Sequence, residues 1–399
     1  MIQQTTERSL YRKGRFLKAL GKTRCYVHQG EPEAWSSGDD ELIQELGIPV
    51  VSVDTSHVGK STGRWVQGSE SRLQIPDRLA IENGILAERS KIMMLHQDQD
   101  PVVRTVLGSG RVVFLHSFMT RINHRLFAQN LTPRIEHVLS PHSHAFRPGK
   151  SIWTALRDVR SAVQAGGGWL MRTDVEQFFP STPVELPIRD LQRMVPGLSV
   201  GYLDRLERVM SPPIRDRKMQ GAGLESPTRT LLQGSVIAPL MSNVVGHYGL
   251  DEPVARASLD VTMVRYADDI VIAGASEGEC MRAFGILRRS AEDRGWRLHE
   301  GDKTTAPRNV LREPIEWLGK EIHGYQIKTP QEKLGEFGER ILEVPADGAE
   351  IRAVANWVID QLVMDCKRVP DDLRRMIRKR SSGHARAFWA HTAQKRKKR

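Results

Sequence analysis

At 399 residues the chain exceeds one typical domain, can bury a sizeable core, and leads us to expect two or three subdomains. With 39% hydrophobic and 27% charged residues and a formal charge of +11 (59 Lys and Arg against 48 Asp and Glu), it reads as a soluble protein with a polyanionic partner, nucleic acid first. Three scattered cysteines argue against a disulfide framework or a paired-cysteine metal site, and no apolar run is long enough to span a bilayer, so a cytoplasmic location is the expectation.

Residues 1–95 mix basic and polar segments with Gly and Ser and show little periodicity. They read as an N-terminal extension for RNA or a partner protein. VGKSTG at 58–63 invites a phosphate-loop reading, but that loop needs a Gly where Asp54 stands, so it is rejected. From about 96 to 330 short strands alternate with helices, an α+β or α/β pattern. IWTALRDVRSAV (Ile152–Val163) has the apolar spacing of an amphipathic helix, and WLMRTDV after the Gly-rich break reads as a strand. VTMVRYADDIVIAG (Val261–Gly274) reads as two strands flanking an Asp pair, and EWLGKEIHGYQIK (Glu316–Lys328) as a hairpin. Residues 331–399 change character. Ile351, Val354, Trp357, Val358, Leu362 and Met364 mostly keep helical spacing, and the basic runs DDLRRMIRKR and KRKKR follow.

The chemistry concentrates in three carboxylates at strand ends: Asp174, Asp268 and Asp269. Asp is also a good turn residue, so a solvated hairpin tip would account for the doublet alone. A third Asp in the same setting favours phosphoryl transfer. Two Mg²⁺ ions roughly 3.5–4 Å apart need hard oxygen ligands that bridge them. Clustered carboxylates would otherwise repel one another.

Read in order, these segments resemble the motifs of reverse transcriptases, most closely the bacterial group II intron-like branch. HAFRPGKSIWTAL (His144–Leu156), MRTDVEQFFPS, LLQGSVIAPLMSNVVGHYGLDEP (Leu231–Pro253), RYADDIVIAG, GWRLHEGDKT (Gly295–Thr304) and IEWLGKEIHG (Ile315–Gly324) each match one ordered motif over about residues 105–325. The resemblance implies an α+β right-hand polymerase of fingers, palm and thumb, with a four-stranded antiparallel palm sheet flanked by helices. Fingers and palm would occupy 96–330, and a helical basic thumb and tail 331–399.

It further implies roles for individual residues. Asp174, Asp268 and the Val175 carbonyl would hold two Mg²⁺ (Mn²⁺ as an alternative), with Asp269 as a supporting carboxylate. Lys303 would protonate the pyrophosphate leaving group. Phe179, five residues beyond Asp174, would be the steric gate against ribonucleotides, while Phe178 packs in the core. Gln233 and Gly234 would lie under the templating base, with Gly permitting close backbone approach to substrate. Arg111 would grip the triphosphate. Arg121 and Arg147 would stabilise the fold. Two departures stand out: Ser109 where the family usually has Lys, with Arg104 the nearby basic residue, and Ala238-Pro239 where it often has Ser-Pro. His142 and His144 read as loop histidines rather than a metal site.

The expected function is RNA-directed DNA synthesis from dNTPs on an RNA template, by a stand-alone bacterial enzyme in anti-phage defence. Its partners would be a structured noncoding RNA, the DNA product and a partner protein or second copy, with no membrane. A retron-type or group II intron-derived enzyme, or a splicing cofactor using the fold as a scaffold, is the alternative. An RNA-dependent RNA polymerase is disfavoured by Phe179.

Overall fold

The computed structural model describes residues 101–106, 110–116, 118–216, 229–299, 301 and 304–343, together with 27–28, 31–32, 50–54 and 72–76. The last four are two short antiparallel pairs, β1 (Val27–His28) with β2 (Glu31–Pro32) and β3 (Val50–Asp54) with β4 (Arg72–Pro76). The phosphate-loop look-alike, the helical spacing from Ile351 to Met364 and the basic tail lie outside the described residues.

The centre is a four-stranded antiparallel sheet ordered β11–β7–β10–β9, built from β7 (Trp169–Asp174), β9 (Val261–Tyr266), β10 (Asp269–Gly274) and β11 (Arg308–Asn309). Its strands are short apolar runs because both faces are covered. Side-chain alternation divides them: Met171, Met263, Ile270 and Ile272 enter one core, and Leu170, Val264, Val271 and Ala273 the other.

Two amphipathic helices cover those faces. The second helix, α2 (Ile152–Gln164), follows α1 (Phe118–Ile135) and turns Trp153, Leu156, Val159 and Val163 onto the Leu170 side. Ser151 and Thr154 start it with a capping box, each side chain satisfying the other's backbone N–H. On the opposite face lies α7 (Glu277–Glu292), which follows α3 (Glu185–Met194), α4 (Val200–Met210), α5 (Ala238–Gly246) and α6 (Glu252–Arg256) and buries Cys280, Ala283, Leu287 and Ala291. This is the expected α+β architecture. The predicted helix at 152–163 and the strands about the Asp pair stand where the spacing put them.

A five-residue π-helix, His247–Asp251, joins α5 to α6. A third core gathers α1, α3, α4 and α5 beside the sheet. On that side β5 (Val102–Val106) and β6 (Val112–Leu115) pair antiparallel, and β8 (Ile214–Asp216) joins β5 in parallel.

The expected hairpin at 316–328 is a correction. It is a three-stranded antiparallel sheet of β12 (Ile315–Trp317), β13 (Lys320–His323) and β14 (Gln326–Lys328). Gly319 and Gly324, both at positive φ, allow two tight turns in so short a stretch. The final described element is α8 (Gln331–Glu343).

Candidate active site

The ends of β7 and β10 bring the backbones of the three aspartates side by side. Asp174 and Asp269 are direct partners across the two strands. The Val175 N–H donates to the Asp268 carbonyl at 3.3 Å, a bond that flanks the pair. Asp174 and Asp269 therefore form the closely spaced, non-hydrogen-bonded kind of antiparallel pair, roughly 4.5 Å between Cα atoms, with side chains on one face. In extended backbone the N–H and C=O of a residue share an edge, so the Val175 carbonyl faces the Asp268 side as well.

Asp268 itself is in the turn. Tyr266 pairs with Asp269, leaving Ala267 and Asp268 as a two-residue connection. Ala267 sits at φ 60°, a left-handed conformation that costs an L-residue about 1–2 kcal/mol. Burial pushes the neighbouring Tyr266 phenol up from its ordinary pKa.

As a donor set, three carboxylates and one carbonyl on adjoining backbone positions are hard oxygens that fit divalent cations such as Mg²⁺. Among the described residues, however, no three His, Cys, Asp or Glu side chains are gathered as a ready-made metal site. The backbone register converges; the side chains do not form a chelating cluster.

On the outer edge of β7, Trp296–His299 runs alongside. His299 N–H donates to the Asp174 carbonyl at 2.8 Å, and Glu176 N–H to the Arg297 carbonyl at 2.8 Å. Trp296 anchors that segment, fully buried against Phe178 with ring centroids 4.9 Å apart and its Nε1–H donating to Thr182 Oγ1 at 3.1 Å. Lys303 lies outside the described residues. Its neighbour Thr304 shares a hydroxyl hydrogen bond of 2.8 Å with Thr173, one residue from Asp174. A cleft of about 570 Å³ opens here, lined by Glu176, Arg288, Glu292, Arg297, His299 and Thr304 among others.

Phe178 and Phe179 have different surroundings. Phe178 is buried, whereas Phe179 is half-buried at the edge of another core, 6.1 Å from it in an edge-to-face contact.

Three more expected site residues meet on the β6 side. Arg111 Nε donates to Gln233 Oε1 at 2.8 Å, and Phe114 N–H donates to the Gln233 carbonyl at 2.8 Å. Gly234 has φ 100°, and a Cβ there would stand 2.5 Å from the Phe114 carbonyl oxygen. The close approach that the absent side chain permits is thus to β6.

Arg147 has a structural setting. Its guanidinium donates to the Glu136 carboxylate and to the carbonyls of Glu136, Ser140 and Ser143. Arg121 is buried on α1, and Arg104 lies on β5 opposite Phe114. His142 and His144 both meet Asp158 Oδ2, at 3.0 and 2.9 Å. His144 is more than a loop residue: it is fully buried, and burial first, then Lys150, lowers its pKa to about 4 against the opposing pull of Asp158.

The residue that sequence reasoning passed over is Arg265, in RYADD. It is completely buried and forms a two-bond ion pair with Asp251, at 2.7 and 2.6 Å. The available signal was an Arg on an apolar strand two residues before a turn.

With this geometry in view, the comparisons with known proteins are specific. The family model of reverse transcriptase (RNA-dependent DNA polymerase) matches residues 98–322, more than half of the chain. The chain belongs to the reverse transcriptase family. That family is one of nucleotidyltransferases, and the central sheet has the form of its palm.

The relationship to individual reverse transcriptase relatives is distant. The chain is similar to nuclear intron maturase 1, mitochondrial, of Arabidopsis thaliana, at 26% identity over 133 residues, 33% of this chain and 16% of that protein. It is similar to the retron Mx65 reverse transcriptase of Myxococcus xanthus, at 26% identity over 177 residues, 43% and 39% respectively. It thus spans well under half the length of either. The telomerase of Candida albicans, solved with a fragment of telomeric RNA, is similar at TM-score 0.45 and 10% identity, over 86% of this chain and 68% of that one. Among the described residues no helix is long and apolar enough to cross a membrane.

Proposed function

We propose that the protein is an RNA-directed DNA polymerase that extends a 3′-hydroxyl with dNTPs, with Asp174, Asp268 and the Val175 carbonyl as principal metal ligands and Asp269 in support. The observation that carries this reading is the register: Asp174 opposite Asp269, with the Asp268 carbonyl receiving the Val175 N–H. Two Mg²⁺ ions held there would activate the attacking hydroxyl and neutralise the triphosphate.

The chain's own residues supply the rest. Arg111 offers a forked guanidinium to the triphosphate and is steadied by Gln233. Phe179 closes the space beside the sugar, excluding a 2′-hydroxyl. Lys303 gives a proton to the departing pyrophosphate, a contribution typically worth about 10²–10⁴-fold. The strand end that carries Asp174 is itself tied to Arg297 and His299 through backbone hydrogen bonds and to Thr304 through Thr173, which steadies the carboxylate edge.

The test is primer extension on an RNA template with purified protein. Asp174→Asn and Asp268→Asn should each lower incorporation by about a thousandfold, because metal stabilisation supplies several kcal/mol at 1.4 kcal/mol per tenfold. Wild-type protein that copies no template, or an Asp268→Asn variant that synthesises normally, overturns the reading.

The biological setting we propose is copying of a structured noncoding RNA in anti-phage defence. It is supported by the motif resemblance to the bacterial group II intron-like branch and by the distant likeness to a retron reverse transcriptase. Sequencing the RNA that copurifies, and any DNA joined to it, tests it; a population of unrelated transcripts would sink it.

A further inference from the structure

We infer that Arg265 is a positioning residue that fixes the Ala267–Asp268 peptide, and with it the Asp268 carboxylate, from beneath the β9–β10 turn. The inference rests on the polymerase reading for its catalytic consequence and on the structure alone for the clamp.

A guanidinium has five N–H directions, and here all five are used. Nε and Nη2 take the two Asp251 oxygens, Nη2 also donates to Ser143 Oγ at 3.0 Å, and Nη1 donates to the Ala267 carbonyl at 2.9 Å and reaches Asn243 Oδ1 at 3.5 Å. The Ala267 carbonyl belongs to the same planar unit as the Asp268 nitrogen and Cα. Holding that oxygen therefore orients the entry to Asp268. The exit is held by the Val175 N–H on the Asp268 carbonyl. Asp268 is gripped on both sides, once from the buried arginine and once from the strand end that carries Asp174.

The surroundings are shaped to admit the arginine. A Cβ on Gly246 would lie 2.8 Å from Arg265 Cζ. The π-helix His247–Asp251 widens the turn directly after that glycine and delivers Asp251; such helices tend to occur at functional sites. The Arg265 backbone is also tied down, its N–H donating to the His142 carbonyl and its carbonyl accepting from His144 N–H, both at 2.9 Å. A buried ion pair adds little net stability over apolar residues of similar size, so stability alone does not explain its presence. A left-handed Ala267 at the base of a carboxylate pair does give it a task.

The experiment uses the full chain in two forms, the paired replacement Asp251→Leu with Arg265→Met, which leaves no lone buried charge, and Arg265→Lys, which keeps the charge without the fork. Amide hydrogen exchange is read without substrate, and dNTP incorporation separately. In both variants the Val175 amide should lose protection by about tenfold or more while Ile272, in mid-strand, keeps its own. The value of kcat should fall by about tenfold or more with the dNTP KM nearly constant, since misplacing a reacting group by about 1 Å is costly. Unchanged protection at Val175 overturns the clamp. So does an equal loss at Ile272, which would make Arg265 a general support of the fold. A wild-type protein that incorporates no dNTP would instead sink the polymerase reading, and the exchange result would still decide the clamp.

Discussion

Phe178 and Phe179 are chemically identical neighbours with different surroundings. The first is sealed against Trp296, and the second is half-buried near the carboxylate end of β7. The resemblance implied the core place of Phe178, and burial agrees; the gate role of Phe179 is a proposal. Phe179→Ala should lower the preference for dNTP over rNTP by about 10–200-fold, the range one small group commands in an apolar pocket. Competition between the two nucleotides measures it, and an unchanged ratio removes the gate. Arg265 was illegible in the sequence. A lone Arg in a strand reads as solvent-facing, since such residues are almost never fully buried without a partner. The partner, Asp251, is delivered by a π-helix, whose register a 3.6-residue pattern cannot anticipate. The carboxylate positions were legible; the lack of a side-chain metal cluster was not, because rotamers do not follow from spacing.

At the scale of elements, the amphipathic α2 declares itself by the period of its one packing face, and β7, β9 and β10 by apolar runs that feed a core on either side. The second turn at Gly324 was missed, since three-residue strands carry too few positions to show alternation. The parallel pairing of β5 with β8 was also hidden: it joins segments distant in sequence, and neither strand's pattern names its mate. The junction of β6 with the Gln233–Gly234 loop yields a prediction of its own. Gly234→Ala must relieve both a positive φ and a 2.5 Å approach to the Phe114 oxygen. We expect it to destabilise the protein by about 1 kcal/mol or more. It should also raise the dNTP KM, because Arg111 is aligned through Gln233. A melting curve and KM that both match wild type would show that β6 yields freely.

The whole chain carries a charge of +11, and its sequence ends in KRKKR, outside the described residues. If that excess contacts six or more phosphates, raising salt from about 50 to about 200 mM should weaken binding to an RNA–DNA duplex by about 10³-fold or more. Fluorescence anisotropy across that range checks it, and a flat response would show the charge unused. The way the chain closes on itself has one more consequence. The hairpin that bears Arg111 is complete at Leu115, but its third strand begins only at Ile214, after α1 to α4 and β7 have been made. A nascent chain stalled in that interval would carry an open strand edge, the kind of surface that invites a foreign strand, until the ribosome delivers the segment that caps it.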